Sequence, residues 1–109
     1  MKRLGCWKDE ITRTEQGTIK IRALENAEGQ SNLLNGAYKS REDAIKACYD
    51  TAVSWDRTIF ALQDGGQCFT EAPQMQYDEY GESSKCGVDG KGGPLANEVY
   101  EILSGNHYF

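Results

Sequence analysis

The sequence predicts a small, disulfide-stapled α+β domain in which an antiparallel sheet packs on one main helix. Three observations predict it. Four cysteines, Cys6, Cys48, Cys68 and Cys86, are dispersed along 109 residues without a CxxC pair. An apolar stripe at helical spacing runs through residues 44–55. A strand of buried type, a glycine turn and a returning strand follow at 58–70.

Metal-binding cysteines come in tight pairs, because neighbouring thiolates must reach one ion. An even number of isolated cysteines in a short chain fits two long-range disulfides, and so an oxidising compartment. The same spacing also fits four reduced cysteines packed as small hydrophobes in a cytosolic core. A chain of 109 residues is read as a single domain, 1–109, with its motif-bearing core at 4–103. A domain of that size buries only about 60–70% of its unfolded-chain surface, so covalent staples help it.

Net charge is −5 and the pI about 4.8. That surface repels phosphate backbones and anionic membranes, so neither nucleic acid nor a membrane surface is expected as a partner. No apolar run approaches the ~20 residues that span a bilayer, and no membrane insertion is expected. The start, Met1-Lys2-Arg3-Leu4-Gly5-Cys6, has no apolar core after its basic residues and does not read as a signal peptide. With oxidised cysteines, the expectation is a mature chain or an excised module carrying an added Met.

In chain order, residues 4–7 read as a first strand. Thr18-Ile19-Lys20-Ile21 alternates and is β-branched, a second short strand. Residues 25–37, with two Gly and three Asn, read as a loop. The helix is expected over 41–54, with Ser40 as N-cap and Glu42 and Asp43 in the first turn. Asp43, three residues after Ser40, makes a variant capping box. Ala44, Ile45, Cys48, Ala52 and Trp55 form the apolar stripe, which turns Cys48 toward the core. Thr58 to Gln63 is a buried strand, Asp64-Gly65-Gly66 a hairpin turn, and Gln67-Cys68-Phe69-Thr70 the return. Cys68 and Thr70 share one face and Phe69 takes the other. Residues 71–93 are polar and glycine-rich, and Asn97 to Leu103 reads as the last strand.

These blocks resemble a known family. Gly5-Cys6-Trp7-Lys8-Asp9 is similar to the Gly-Cys-aromatic-x-Asp start of WSC domains. Ser40 to Cys48 resembles the WSC helix that carries the second cysteine. Ile59 to Phe69 resembles the WSC hairpin. Gly92-Gly93-Pro94-Leu95-Ala96-Asn97-Glu98-Val99-Tyr100 resembles its Gly-Gly-x-x-x-x-x-Val-Tyr ending. The blocks occur in family order over residues 5–100. The chain looks like a four-cysteine variant of this WSC-like, apple-like fold, as in secreted multi-domain proteins of marine invertebrates. It lacks the third, fifth, seventh and eighth cysteines of the family. Ala52 stands at the third position, Thr70 at the fifth, and Lys91 near the eighth. The family pairs first with sixth and second with fourth, which implies Cys6–Cys86 and Cys48–Cys68. A helix laid on the hairpin is compatible with the second of these.

No catalytic constellation is visible. The one histidine, His107, sits three residues from the end, where no fixed orientation is expected. Gly-x-Ser-x-Gly, HExxH and Walker A patterns are absent, and bridged cysteines leave no thiolate. No enzyme activity and no cofactor are expected. Asp78, Glu79 and Glu82 lie near Asp89 in the glycine-rich segment; oxygen-rich loops bind calcium, but a charge run is more often a solvated face, so no metal is expected. Sugars stack on aromatic planes with polar neighbours. The aromatic candidates are Trp7, Trp55, Tyr77, Tyr80 and Tyr100. Trp7 and Tyr100 fit packing roles, Trp55 a half-buried one. Tyr77 and Tyr80, beside Asp78 and Glu79, read as the best exposed pair. Tyr77, Tyr80, Asp78, Glu79 and Trp55 are therefore the ligand-binding candidates.

The resemblance implies a secreted, non-catalytic recognition module, because WSC domains are regarded as glycan binders. Weak single-site affinity would be raised by repetition in arrays. The alternative is a protein-interaction, matrix or adhesion module. The expected partner is thus a glycan or an extracellular protein. Non-reducing peptide mapping should recover Cys6 with Cys86 and Cys48 with Cys68; a Cys6–Cys48 peptide would refute that pairing.

Overall fold

A computed structural model describes residues 1–13, 19–20 and 22–103. His107, and the Thr18 and Ile21 ends of the expected second strand, lie outside the described residues. Strands β1 (Lys2–Lys8), β4 (Glu25–Asn26), β5 (Ile59–Gln63), β6 (Gln67–Thr70) and β7 (Ala96–Glu101) form an antiparallel sheet in the order β1-β7-β5-β6-β4. Strands β2 (Thr12–Arg13) and β3 (Ile19–Lys20) pair as a separate ribbon. One α-helix, α1 (Ala44–Ser54), lies across β5 and β6. Two disulfides join Cys6 to Cys86 and Cys48 to Cys68. The molecule is a small α+β disulfide-stabilised domain, and disulfides of this kind are typical of extracellular proteins. Among the described residues, no helix is long and apolar enough to cross a membrane.

The hairpin forms where its chemistry puts it. Leu62 faces Cys68 and Gln63 faces Gln67, and Asp64, Gly65 and Gly66 turn at positive φ. Gly66 is required by packing as well: a Cβ there would sit 2.5 Å from the Tyr38 carbonyl oxygen. Pleating sends Phe60, Leu62 and Cys68 toward α1, with Tyr100 beside Phe60 in register. There they pack with Cys48, Tyr49 and Ala52 of the helix. Phe60 stacks on Tyr100, and Tyr49 meets Phe60 edge-on. The fully buried Cys48–Cys68 bond locks this interface. Loop-closure entropy puts the disulfide contributions at about 3 kcal/mol for the 20-residue separation and about 4.5 for the 80-residue one.

The helix starts later than the sequence suggests. Ser40 ends a 3-10 turn, Tyr38–Ser40, and its hydroxyl donates to the Ala37 carbonyl instead of capping α1. Arg41 stays extended. Its guanidinium reaches both carboxylate oxygens of Glu28, at 2.9 and 2.7 Å, and Glu28 also accepts from the Cys68 amide at 2.8 Å. That bidentate pair outweighs an early helical turn. Asp43 is the N-cap, with φ 49° and no side-chain capping bond; aspartate tolerates this left-handed region better than most residues. Residues 25–37 are not entirely loop, since Glu25 and Asn26 extend the sheet beside β6.

The other face of the sheet carries a second core. Leu24, Ile59, Ala61, Phe69 and Val99 are buried there, with Leu4, Trp7 and Tyr77 packed on them. Irregular chain closes this face, fastened by the fully buried Asp9 side chain. Asp9 Oδ1 accepts from the Glu10 and Ala23 amides, both at 2.9 Å. Its Oδ2 accepts from Arg22 Nη1 at 2.9 Å and Gln63 Nε2 at 2.8 Å. Gln63 donates onward to Asn97 Oδ1 at 2.8 Å, and the Arg22 guanidinium lies 4.8 Å from the Phe69 ring centroid. Removing Asp9 would strand an arginine and two buried donors. Asp9→Ala should therefore cost about 3–5 kcal/mol, read as a lower urea midpoint; a loss below about 1 kcal/mol would show that water replaces the carboxylate.

Candidate functional site

The end of α1 builds a cleft. The Arg57 amide donates to the Ala52 carbonyl at 2.8 Å and the Asp56 amide to Val53 at 3.0 Å. This is a Schellman termination, with Asp56 at φ 59° in the left-handed position. It reverses the chain after the C-cap, Trp55, so that Trp55 and Arg57 flank the helix end. Trp55 is half-buried against the helix-side core. Arg57 Nη1 is held by the Glu71 carbonyl at 2.8 Å. Across from them, Asn26 Oδ1 accepts from the Glu28 amide at 2.9 Å and shapes the turn after β4. That turn brings Glu25 and Gln30 up to Trp55 and Arg57. The four side chains line an open cleft of about 370 Å³. It offers an indole, a carboxylate, an amide and a guanidinium: an apolar plane with hydrogen-bonding groups of both kinds around it.

A larger groove, about 580 Å³, lies beside the first half of α1. Ala44, Ile45 and Tyr49 of the helix, with Met1, give it apolar walls. Asp43, Lys46, Asp89 and Lys91 carry its charge. Tyr49 is only 6% exposed, so it cannot present a ring face to a sugar. The loop at 89–91 is tied down by the Tyr100 hydroxyl, which donates to the Gly90 carbonyl at 2.8 Å. Burial raises the Tyr100 phenol above its ordinary value of 10.0, and the Glu98 carboxylate adds to the effect. Glu98 is itself buried, paired with Arg3.

The ligand-binding candidates do not converge on one site. Trp55 lies on the helix side of the sheet, whereas Tyr77 packs on the opposite face. Tyr77 and Tyr80 are not a freely exposed pair; both are half-buried. The Tyr77 ring meets Trp7 edge-on, with centroids 5.3 Å apart, and so covers the second core. Tyr80 shares with Arg22, Gln74 and Glu79 a depression of about 20 Å³, room for little more than one water. Asp78 and Glu79 are exposed on that loop. Among the described residues, no group of three or more His, Cys, Asp or Glu side chains is placed to hold a metal ion. Sequence reasoning missed Glu25, Gln30 and Arg57. Only the pairing of β4 with β6 brings the first two near the helix end, and no local pattern announces it.

No protein-family model, curated protein or solved structure matches this chain.

Because the Tyr100 phenol is raised in the fold, its contribution is intact below the ordinary value of 10.0 and is lost as pH rises through the folded value. Tyr100→Phe should lower stability by about 1 kcal/mol at neutral pH and flatten the alkaline decline. Urea unfolding between about pH 8 and 11 checks this; an unchanged alkaline slope would contradict it.

Proposed function

We propose that this chain is an extracellular, non-catalytic recognition module of WSC-like type that binds carbohydrate in the Trp55 cleft. The observation that carries the reading is the half-buried Trp55 beside Glu25, Gln30 and Arg57 in an open polar cleft. A pyranose has an apolar face for the indole and hydroxyls that both donate and accept, and the cleft supplies a partner for each. The ordered motif blocks, from Gly5-Cys6-Trp7 to Val99-Tyr100, support the WSC-like assignment. So does the burial of Ala52 and Thr70, the residues at the family's third and fifth cysteine positions. Both are fully buried on the elements that Cys48–Cys68 connects. The Thr70 hydroxyl has no hydrogen-bond partner among the described residues, as expected where a polar group occupies a place built for something else.

The second reading, an adhesion or protein-interaction module, is favoured by the larger groove, whose apolar walls suit a protein side chain better than a sugar.

A glycan array and a polysaccharide pull-down with oxidised protein test the first reading. The expected result is weak binding, Kd in the range of about 0.1–1 mM for one site, lost in Trp55→Ala and weakened several-fold in Gln30→Ala. Gln30 is exposed, so its variant isolates binding from folding. A blank array with folded protein, or binding indifferent to both substitutions, would defeat the assignment.

A further inference from the structure

We propose that the Cys6–Cys86 bond is a redox-sensitive clasp. A dithiol opens it while the rest of the domain stays folded, and the chain at 77–86 then leaves the edge of β1. The inference does not rest on the carbohydrate reading, because the Trp55 cleft borders β4, at the opposite edge of the sheet.

The clasped chain wraps one edge of the sheet. β1 stands at the end of the strand order and pairs only with β7 among the described strands. The 77–86 segment covers its outer side. Tyr77 packs against Trp7 on one face. Along the edge, the Lys8 amide donates to the Gly81 carbonyl at 2.9 Å and the Ser83 amide to the Cys6 carbonyl at 3.0 Å. Between these bonds Glu82 forms an isolated β-bridge with Trp7. On the other face Cys86 reaches Cys6, which lies opposite Glu98 and so shares the face of Leu62. The wrap begins on an aromatic contact and ends on a covalent one.

The two disulfides differ in what stands between them and solvent. Cys48 and Cys68 are fully buried where α1 meets the hairpin. A thiolate must reach a sulfur to displace it, so this bond is open to attack only when the helix leaves. Cys6 and Cys86 are both half-buried, and Cys86 lies between the exposed Lys85 and Gly87. Exposed disulfides are the labile class, whereas buried ones resist reduction.

The exchange balances with the dithiol as reductant. One of its thiolates attacks a sulfur of the pair, the Cys6–Cys86 bond breaks, and a mixed disulfide forms. The other cysteine leaves as a thiolate and takes up a proton. The second thiolate of the reagent then displaces the remaining cysteine and closes a cyclic disulfide. Two electrons pass to the protein, which gains two thiols.

The fold keeps its other supports. Cys48–Cys68 still holds α1 on β5 and β6, β1 keeps its ladder with β7, and Asp9 keeps its four donors. The Lys8 amide and the Cys6 carbonyl exchange the strap for water. An edge strand with such free groups is a template for an extended segment, so opening the clasp turns a covered edge into one that can pair.

The test treats the oxidised full chain with increasing dithiothreitol, blocks free thiols with iodoacetamide and maps them by peptide mass. Amide shifts of the singly reduced chain are followed by NMR. Cys6 and Cys86 should be labelled at least about a hundredfold faster than Cys48 and Cys68. The Lys8, Gly81 and Ser83 amides should shift, while those of Phe60, Leu62 and Phe69 stay. Cys6→Ser with Cys86→Ser should give the same pattern without reductant. Labelling of all four cysteines together, or unmoved Gly81 and Ser83 amides after reduction, would overturn the proposal. So would loss of the folded spectrum in the singly reduced chain or in the variant, which would make the bond a staple of the whole domain.

Discussion

A sheet has two apolar faces, and this chain supplies one α-helix among its described residues. The rest of the structure follows from that mismatch. On one face α1 covers β5 and β6, and the Cys48–Cys68 bond fixes it there. The other face is closed by Trp7, Tyr77 and the chain around Leu24, none of which belongs to a second helix. Irregular chain over a core leaves backbone and side-chain polar groups that need partners. Asp9 supplies them, accepting from two amides, an arginine and a glutamine. The Cys6–Cys86 bond ties β1 to the 71–93 segment from the opposite face, since Cys6 lies opposite Glu98 and so shares the face of Leu62. A buried carboxylate and its four donors thus stand in for the packing that a second helix would give.

The parts of the fold legible in the sequence were those with local periodicity. The hairpin at 59–70 announced itself through Asp64-Gly65-Gly66 between two apolar runs, and the helix through residues 44, 45, 48 and 52. The start of the helix was not legible, because Ser40 and Asp43 satisfy a capping pattern that Arg41 overrides by reaching Glu28. That contact spans 13 residues and leaves no local signature. Glu25 and Asn26 escaped for a similar reason: a two-residue edge strand has no period to read. Asp9 was visible only as part of the Gly-Cys-Trp-Lys-Asp block, and nothing nearby indicates that Gln63 and Arg22 gather around it. Tyr77 and Tyr80 looked exposed because their neighbours are polar. A polar loop closing a sheet must still point its large groups inward.

The candidate site divides along the same line. Trp55 could be picked out from its place at the end of the apolar stripe. Its neighbours in the cleft come from β4, the turn after it and the helix reversal, three places related only through the sheet. The helix therefore organises two concavities of different character, a polar one at its end and an apolar one beside its start. Each is held by backbone geometry that depends on an aspartate in the left-handed region, Asp56 at the first and Asp43 at the second.

The pairing of β1 with β7 also decides how this unit can sit within a longer polypeptide. Lys2 lies opposite Glu101, so the start of β1 and the end of β7 sit side by side at one end of the sheet. Such a unit can be spliced into a surface loop of a host domain without prising the loop apart, and it then projects as a branch.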